Sequence, residues 1–167
     1  MLTAQQLIQQ FQLLPHPEGG YYKETYRSNG KIAQATLPSN FSGSRNFSTA
    51  IYFLLEKENF SAFHKIKSDE CWHFYAGQTL LVHIINTDGV LQTIKLGNNV
   101  LNNEVFQFVV PANCWFASEP AFNTQYSFVG CTVAPAFDFE DFELAKSTEL
   151  MVLYPQHKEI IQRLCRQ

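Results

Sequence analysis

The chain carries few charges and gathers them nowhere. Charged residues fill 16% of its 167 positions, below the roughly 25% usual in soluble domains. Twelve basic against fifteen acidic side chains leave a formal net charge of −3. No run of Lys and Arg could track a phosphate backbone, which argues against nucleic acid as a partner. No window approaches the roughly 18 uninterrupted apolar residues of a membrane span. The first cation, Lys23, lies too late to head a secretory signal. The expectation is a soluble, cytoplasmic protein with no membrane partner. C-x-x-C spacing is also missing. Cys71, Cys114, Cys131 and Cys165 stand far apart and read as reduced, mostly buried thiols rather than disulfide staples or a zinc cluster. There is no internal repeat and no low-complexity tract, and the length fits a single domain over residues 1–167.

What the chain does have is aromatics: fifteen Phe, seven Tyr and two Trp, a content suited to strands and large apolar cores or pockets. Thr3 with Gln6 three residues later forms a capping box for a short N-terminal helix bearing Leu7, Ile8, Phe11 and Leu14. Pro15 and Pro17 end it. His16-Pro17-Glu18-Gly19-Gly20 then turns the chain into an alternating strand, Tyr21 to Arg27. Residues 28 to 44 are rich in Ser, Asn, Gly and Pro and read as a loop, either a lid over a site or simply mobile. From Asn46 to Val133 short strands recur between turn signals, the spacing of a sandwich or barrel rather than of βαβ units. Thr87-Asp88-Gly89 marks a hairpin, Pro111 ends a strand, and Pro155 opens a C-terminal helix.

One stretch carries chemistry. Between Phe60 and Gly77 stand His64, Glu70, Trp72, His73 and Tyr75, and a second stretch reads Pro111-Ala112-Asn113-Cys114-Trp115-Phe116. His64, Glu70 and Gly77 have the spacing of the first cupin motif, and Pro111 opens a segment that resembles the second. Ile66 and Phe116 stand where the motifs place two further histidines, and Glu58 and Asn113 replace two motif glycines. Further matches lie in His16 to Gly20, Thr49 to Leu55 and Val129 to Pro135 running into Phe142. Over nearly its full length the chain thereby resembles a narrower cupin branch with the His-Pro-Glu-Gly-Gly signature. The resemblance implies an all-β double-stranded β-helix, or jelly-roll barrel, with short terminal helices, a homodimer formed through its sheets, and a shape similar to sugar-nucleotide 3,5-epimerases.

With two of four metal-ligand positions replaced, no tightly held cofactor is expected. One imidazole and one carboxylate would hold a divalent metal only loosely unless His73 or His83 completed the set. Alternation turns His73 away from the face of Glu70 and leaves His83 undecided. The leading expectation is a small-molecule-binding cupin, a metal-independent isomerase or epimerase acting on a sugar-like or other small polar metabolite. His64 is its general base, Glu70 tunes it, and Tyr75 or Tyr126 serves as acid. Trp72, Trp115 and Phe116 read either as stacking walls or as ordinary core. Tyr22, Glu24 and Tyr26 share one strand face and could line the cavity, with Arg27 on the opposite parity. Arg45 is a candidate clamp for an anionic group. His16 and Glu18 sit in a turn whose Pro and Gly residues already explain it structurally. The alternatives are a non-catalytic ligand-binding module and a metal-dependent cupin enzyme.

Overall fold

The computed structural model describes residues 2–166. After helix α1 (Ala4–Phe11) come β1 (Leu14–Pro15), β2 (Tyr21–Arg27), β3 (Lys31–Ile32), β4 (Arg45–Asn46), β5 (Thr49–Glu56), β6 (Ser61–Lys65) and β7 (Asp69–Gly77). Then follow β8 (Leu80–Ile85), β9 (Leu91–Leu96), β10 (Gln107–Val110), β11 (Trp115–Pro120), β12 (Tyr126–Ala134), β13 (Glu143–Leu144), α2 (Ser147–Leu153) and α3 (Lys158–Arg163). A six-stranded sheet in the order β1-β2-β5-β12-β7-β10 faces a five-stranded sheet in the order β13-β6-β11-β8-β9. All the pairings within these sheets are antiparallel. This is the expected jelly roll. It arises because strands with one apolar face can bury that face only against a second sheet.

Three apolar layers follow from strand alternation. Between the sheets lie Phe53, Leu55, Ile66, Trp72, Val82, Ile84, Phe116 and Val129. Odd-numbered neighbours such as Phe63, Ile85 and Trp115 point the other way and are covered by Leu150, Ile161 and Leu164 of the C-terminal helices. Helix α1 lays Leu7 on the outer face of the six-stranded sheet, against Leu54, Tyr126 and Phe128. Its capping box forms as the sequence predicts: the Gln6 N–H donates to Thr3 Oγ1 at 3.2 Å and the Thr3 N–H to Gln6 Oε1 at 2.9 Å. Helix α2 is an addition to the sequence reading.

None of residues 28–44 lines the cavity described below. The neighbouring Arg45 is 4% exposed and forks onto Asp141, with Nε 2.6 Å from Oδ2 and Nη2 2.8 Å from Oδ1. Ser42 Oγ adds a bond to Glu140 at 2.9 Å. Arg45 is thereby corrected from an anion clamp to a strut, its fork already filled by a carboxylate. Lys67 Nζ also reaches Asp141 Oδ1, at 3.1 Å, so removing Arg45 leaves that acid one partner. Arg45→Ala is expected to cost about 2 kcal/mol in urea unfolding, and a loss below about 0.5 kcal/mol would show the strut to be idle.

Candidate functional site

Between the two sheets, at the end where β2 and β6 approach, lies a cavity of about 250 Å³. The turn before β2 supplies His16 and Glu18, β2 supplies Tyr22, Glu24 and Arg27, and β5 supplies Thr49 and Ile51. His64 comes from β6, Ile66 from just after it, Glu70 from β7, Cys131 and Val133 from β12, and Phe137 to Phe139 close the rim.

The turn delivers Glu18 because its glycines let the backbone lie flat against two strands. Gly19 and Gly20 have φ of +116° and +76°, and a Cβ on either would strike the carbonyl oxygen of Phe60 or Leu54. The Glu18 carbonyl accepts from the Ala62 N–H at 2.8 Å and from Arg166 Nε at 3.1 Å, which leaves the side chain directed inward and buried. There its Oε2 lies 3.1 Å from His64 Nε2 and 3.6 Å from His16 Nδ1.

The protonation state of this group follows from its bonds. His64 Nδ1 sits 2.7 Å from the Ala62 carbonyl oxygen, which can only accept, so Nδ1 carries hydrogen and the neutral ring leaves Nε2 bare. Burial pushes His64 down to about 3, the Ala62 bond opposing and His16 assisting. Burial, then the neighbouring Glu70 charge, raises Glu18 well above the usual carboxyl range, with Ser61 and Arg166 pulling back. Both directions favour the uncharged forms, a protonated Glu18 and a neutral His64 standing 3.1 Å apart. Phe116 and Phe142 flank the imidazole at centroid distances of 4.1 and 5.3 Å. His16 accepts the Glu18 N–H at Nδ1, at 3.3 Å, and burial lowers it to about 4.

Glu70 is 8% exposed and burial raises it to about 7. The Cys131 thiol and the Trp72 indole N–H lie beside it and hold it partway down. Neither closes a hydrogen bond of good geometry, and Trp72 Nε1 is itself buried without a partner.

The structure thus brings His64, Glu70, Tyr22 and Glu24 to one cavity, and it sends other expected site residues elsewhere. Tyr26 is 54% exposed because Thr25 is an extra residue between the Glu24↔Ile51 and Tyr26↔Ala50 pairs. The bulge inverts parity and brings in Arg27 instead. Tyr75 has the parity of His73, opposite to that of Glu70 and Trp72, so alternation along β7 turns it outward. It stands on the outer face, half exposed, its ring over Gly130. The Tyr126 hydroxyl donates to the Leu2 carbonyl at 2.8 Å beneath α1. Trp115 lies under the C-terminal helices with Lys65 Nζ 4.5 Å from its ring centre, and Trp72 belongs to the core between the sheets. Phe116 backs His64 without lining the cavity. His16, Glu18 and Arg27 are the residues the sequence reading undervalued. An acid followed by two glycines was the available signal for Glu18.

These strands, turns and missing ligands can be set beside known proteins. A family model described as Cupin superfamily (DUF985) matches residues 5–145. The chain belongs to the cupin superfamily. A protein of Saccharomyces cerevisiae named as uncharacterized, YML079W, is 36% identical over 159 residues, covering 88% of this cupin and 77% of the yeast protein. A hypothetical protein from Leishmania major is 37% identical with a TM-score of 0.90, covering 99% of this chain and 100% of that one. Protein SO0799 from Shewanella oneidensis is 40% identical with a TM-score of 0.88, covering 99% of each chain. Oxalate decarboxylase from Bacillus subtilis shares the fold at 15% identity and a TM-score of 0.54, covering 90% of this cupin and 36% of the enzyme.

Many cupins hold a divalent metal, so the residues at those positions bear examination. Ile66 and Phe116, 4% and 1% exposed, fill two of the four ligand positions with hydrocarbon. Both His64 nitrogens already have partners. His83 points away, onto Thr93 Oγ1 at 2.9 Å and Glu119 at 3.0 Å, and His73 bonds Thr132 Oγ1 at 3.0 Å on the outer face. Among the described residues no group of three or more His, Cys, Asp and Glu side chains could hold a metal ion. The donor set does not fit one. The motif turns nevertheless persist: Glu58 and Asn113, standing for glycines, keep φ of 65° and 63°.

Proposed function

We propose that this cupin binds a small polar metabolite and isomerises or epimerises it by proton transfer, without a metal. The observation that carries this reading is the Glu18–His64 pair, a buried carboxyl and imidazole 3.1 Å apart on the wall of a cavity. Sequence reasoning casts His64 as the base; the geometry favours Glu18 in that role, because His64 Nε2 faces Glu18. A proton leaving the ligand, from a carbon beside a carbonyl, is taken by the second Glu18 carboxyl oxygen. The proton on Oε2 passes to His64 Nε2, and the resulting imidazolium keeps its Nδ1 bond to Ala62. Return of the ligand's proton to the neighbouring carbon on the same face reverses the transfer and isomerises the ligand, and return to the original carbon after the planar intermediate has turned over epimerises it; atoms and charge balance over either cycle. His64 thus stores the proton and Glu18 exchanges it. At about 250 Å³ the cavity lies at the small end of ligand pockets, roughly 300–1,000 Å³, which limits the ligand to a compact molecule.

The test is native mass spectrometry of protein purified from its own cells, followed by incubation of any co-purified small molecule in D2O with and without the protein. Protein-dependent incorporation of one non-exchangeable deuterium is the expected result. A ligand that binds and gains no deuterium would make this a binding module, and an empty cavity that takes nothing from a cell extract would end the small-molecule reading.

A further inference from the structure

Glu70 stands in the cavity lining without a cation beside it, with only the Cys131 thiol and the Trp72 indole N–H as neighbouring donors. It lies in β7 with Val110 and Val133 as its strand neighbours, buried to 8% exposure and facing the cavity. An unpartnered carboxyl in such surroundings costs several kcal/mol unless something supplies donors. The protein supplies only the Cys131 thiol and the Trp72 indole N–H, neither in good hydrogen-bond geometry. The lining holds one Lys or Arg, Arg27, and its Nε and Nη2 are engaged by Glu24 at 3.1 and 2.8 Å, with both Nη atoms 3.2 Å from the Phe137 carbonyl. Against it stand Glu18, Glu24, Glu70 and Asp138. A carboxylate or phosphate entering here finds no free countercharge. A hydroxyl offers one donor and brings lone pairs that the floor cannot satisfy, whereas an ammonium offers three donors and no acceptor.

Taking the cavity as a small-molecule site, as above, we propose that its ligand carries a protonated amine, the ammonium seated on Glu70 and the adjoining carbon facing Glu18. Ile51, Ile66 and Val133 receive the short carbon skeleton. The groups around the seat are Glu18 from the turn, Cys131 from β12 and His64 from β6, and neither histidine is charged near neutrality. With Glu70 at about 7, the arriving cation displaces a proton into solvent at neutral pH.

Three probes of similar size separate the chemistries: pentylammonium, 1-pentanol and pentanoate, titrated into the full chain at pH 7. Carboxyl 13C NMR and calorimetry in buffers of different ionisation enthalpy give the readout. Pentylammonium is expected to bind at least about tenfold more tightly than either other probe, to move the Glu70 resonance to its ionised position and to release a proton. Glu70→Gln should erase that preference. Equal or tighter pentanol or pentanoate binding, binding of none of the three, or a preference that survives Glu70→Gln each overturns the amine seat. Ile51→Trp, which fills the cavity, tells the two readings apart. If it blocks pentanol, the small-molecule site stands without its amine; if it blocks no bound probe, both fall.

Discussion

Glu18→Gln is expected to slow deuterium incorporation by about 10²–10⁴-fold, the range that a positioned acid–base group contributes, with ligand affinity changed by less than about threefold. The amide keeps the carboxyl's shape and can donate to His64 Nε2 across the same 3.1 Å, so the turn and its glycines stay in place. What it loses is the ability to take up a proton. His64→Ala should lose about as much, because a protonated Glu18 can take the ligand's proton only by passing its own to the imidazole. A Glu18→Gln protein at full rate, with His64→Ala inactive, would return the base role to the imidazole and refute the present assignment. Measuring affinity and rate together is essential, since a purely structural Glu18 would lose both.

The second large effect concerns stability. Glu70 titrates at about 7 in the folded chain against 4.5 as its ordinary value. Below 4.5 it is protonated folded or unfolded, and its contribution is fully present. As pH rises from 4.5 the unfolded chain ionises first, and stability falls until the folded group also ionises near 7. At about 1.4 kcal/mol for each pH unit between those two values, the loss reaches about 3 kcal/mol. Glu18 acts in the same direction. His16 and His64, lowered to about 4 and about 3, act oppositely: their contribution is whole above 6.5 and is lost as pH falls toward those values. The difference between Glu70→Gln and wild type isolates one group. Urea unfolding should show the variant gaining little at pH 4.5 and about 3 kcal/mol at pH 8. Parallel curves for the two proteins would mean that Glu70 is solvated rather than buried.

Such a gain would mark Glu70 as a residue whose presence lowers stability, the pattern expected where binding rather than packing selects the side chain. The Arg45–Asp141 pair is the contrast. Both are charged and buried, but each completes the other's hydrogen bonds, and burial's tendency to raise Asp141 is outweighed by Arg45 and Lys67. A satisfied charge reads as architecture, and an unsatisfied one reads as a site.

Much of this was legible in the linear chain. Period-two alternation interrupted by turn residues specified antiparallel strands, and motif spacing singled out His64 and Glu70, which face one cavity from opposite sheets. Capping residues set the first helix. The replacement of two ligand histidines by Ile66 and Phe116 was already explicit. Tertiary structure alone decided which polar groups meet. Parity along a strand survives only until a bulge, and the single extra residue at Thr25 exchanged Tyr26 for Arg27 at the cavity mouth. Aromatic residues declare that they will be buried but not in which of three layers, so of Trp72 and Trp115, similar in sequence terms, the first lies between the sheets and the second under the C-terminal helices. Glu18 lies 46 residues from His64. Their 3.1 Å contact depends on two glycines that let a turn press against strands paired through long-range hydrogen bonds, a closure that no local pattern encodes.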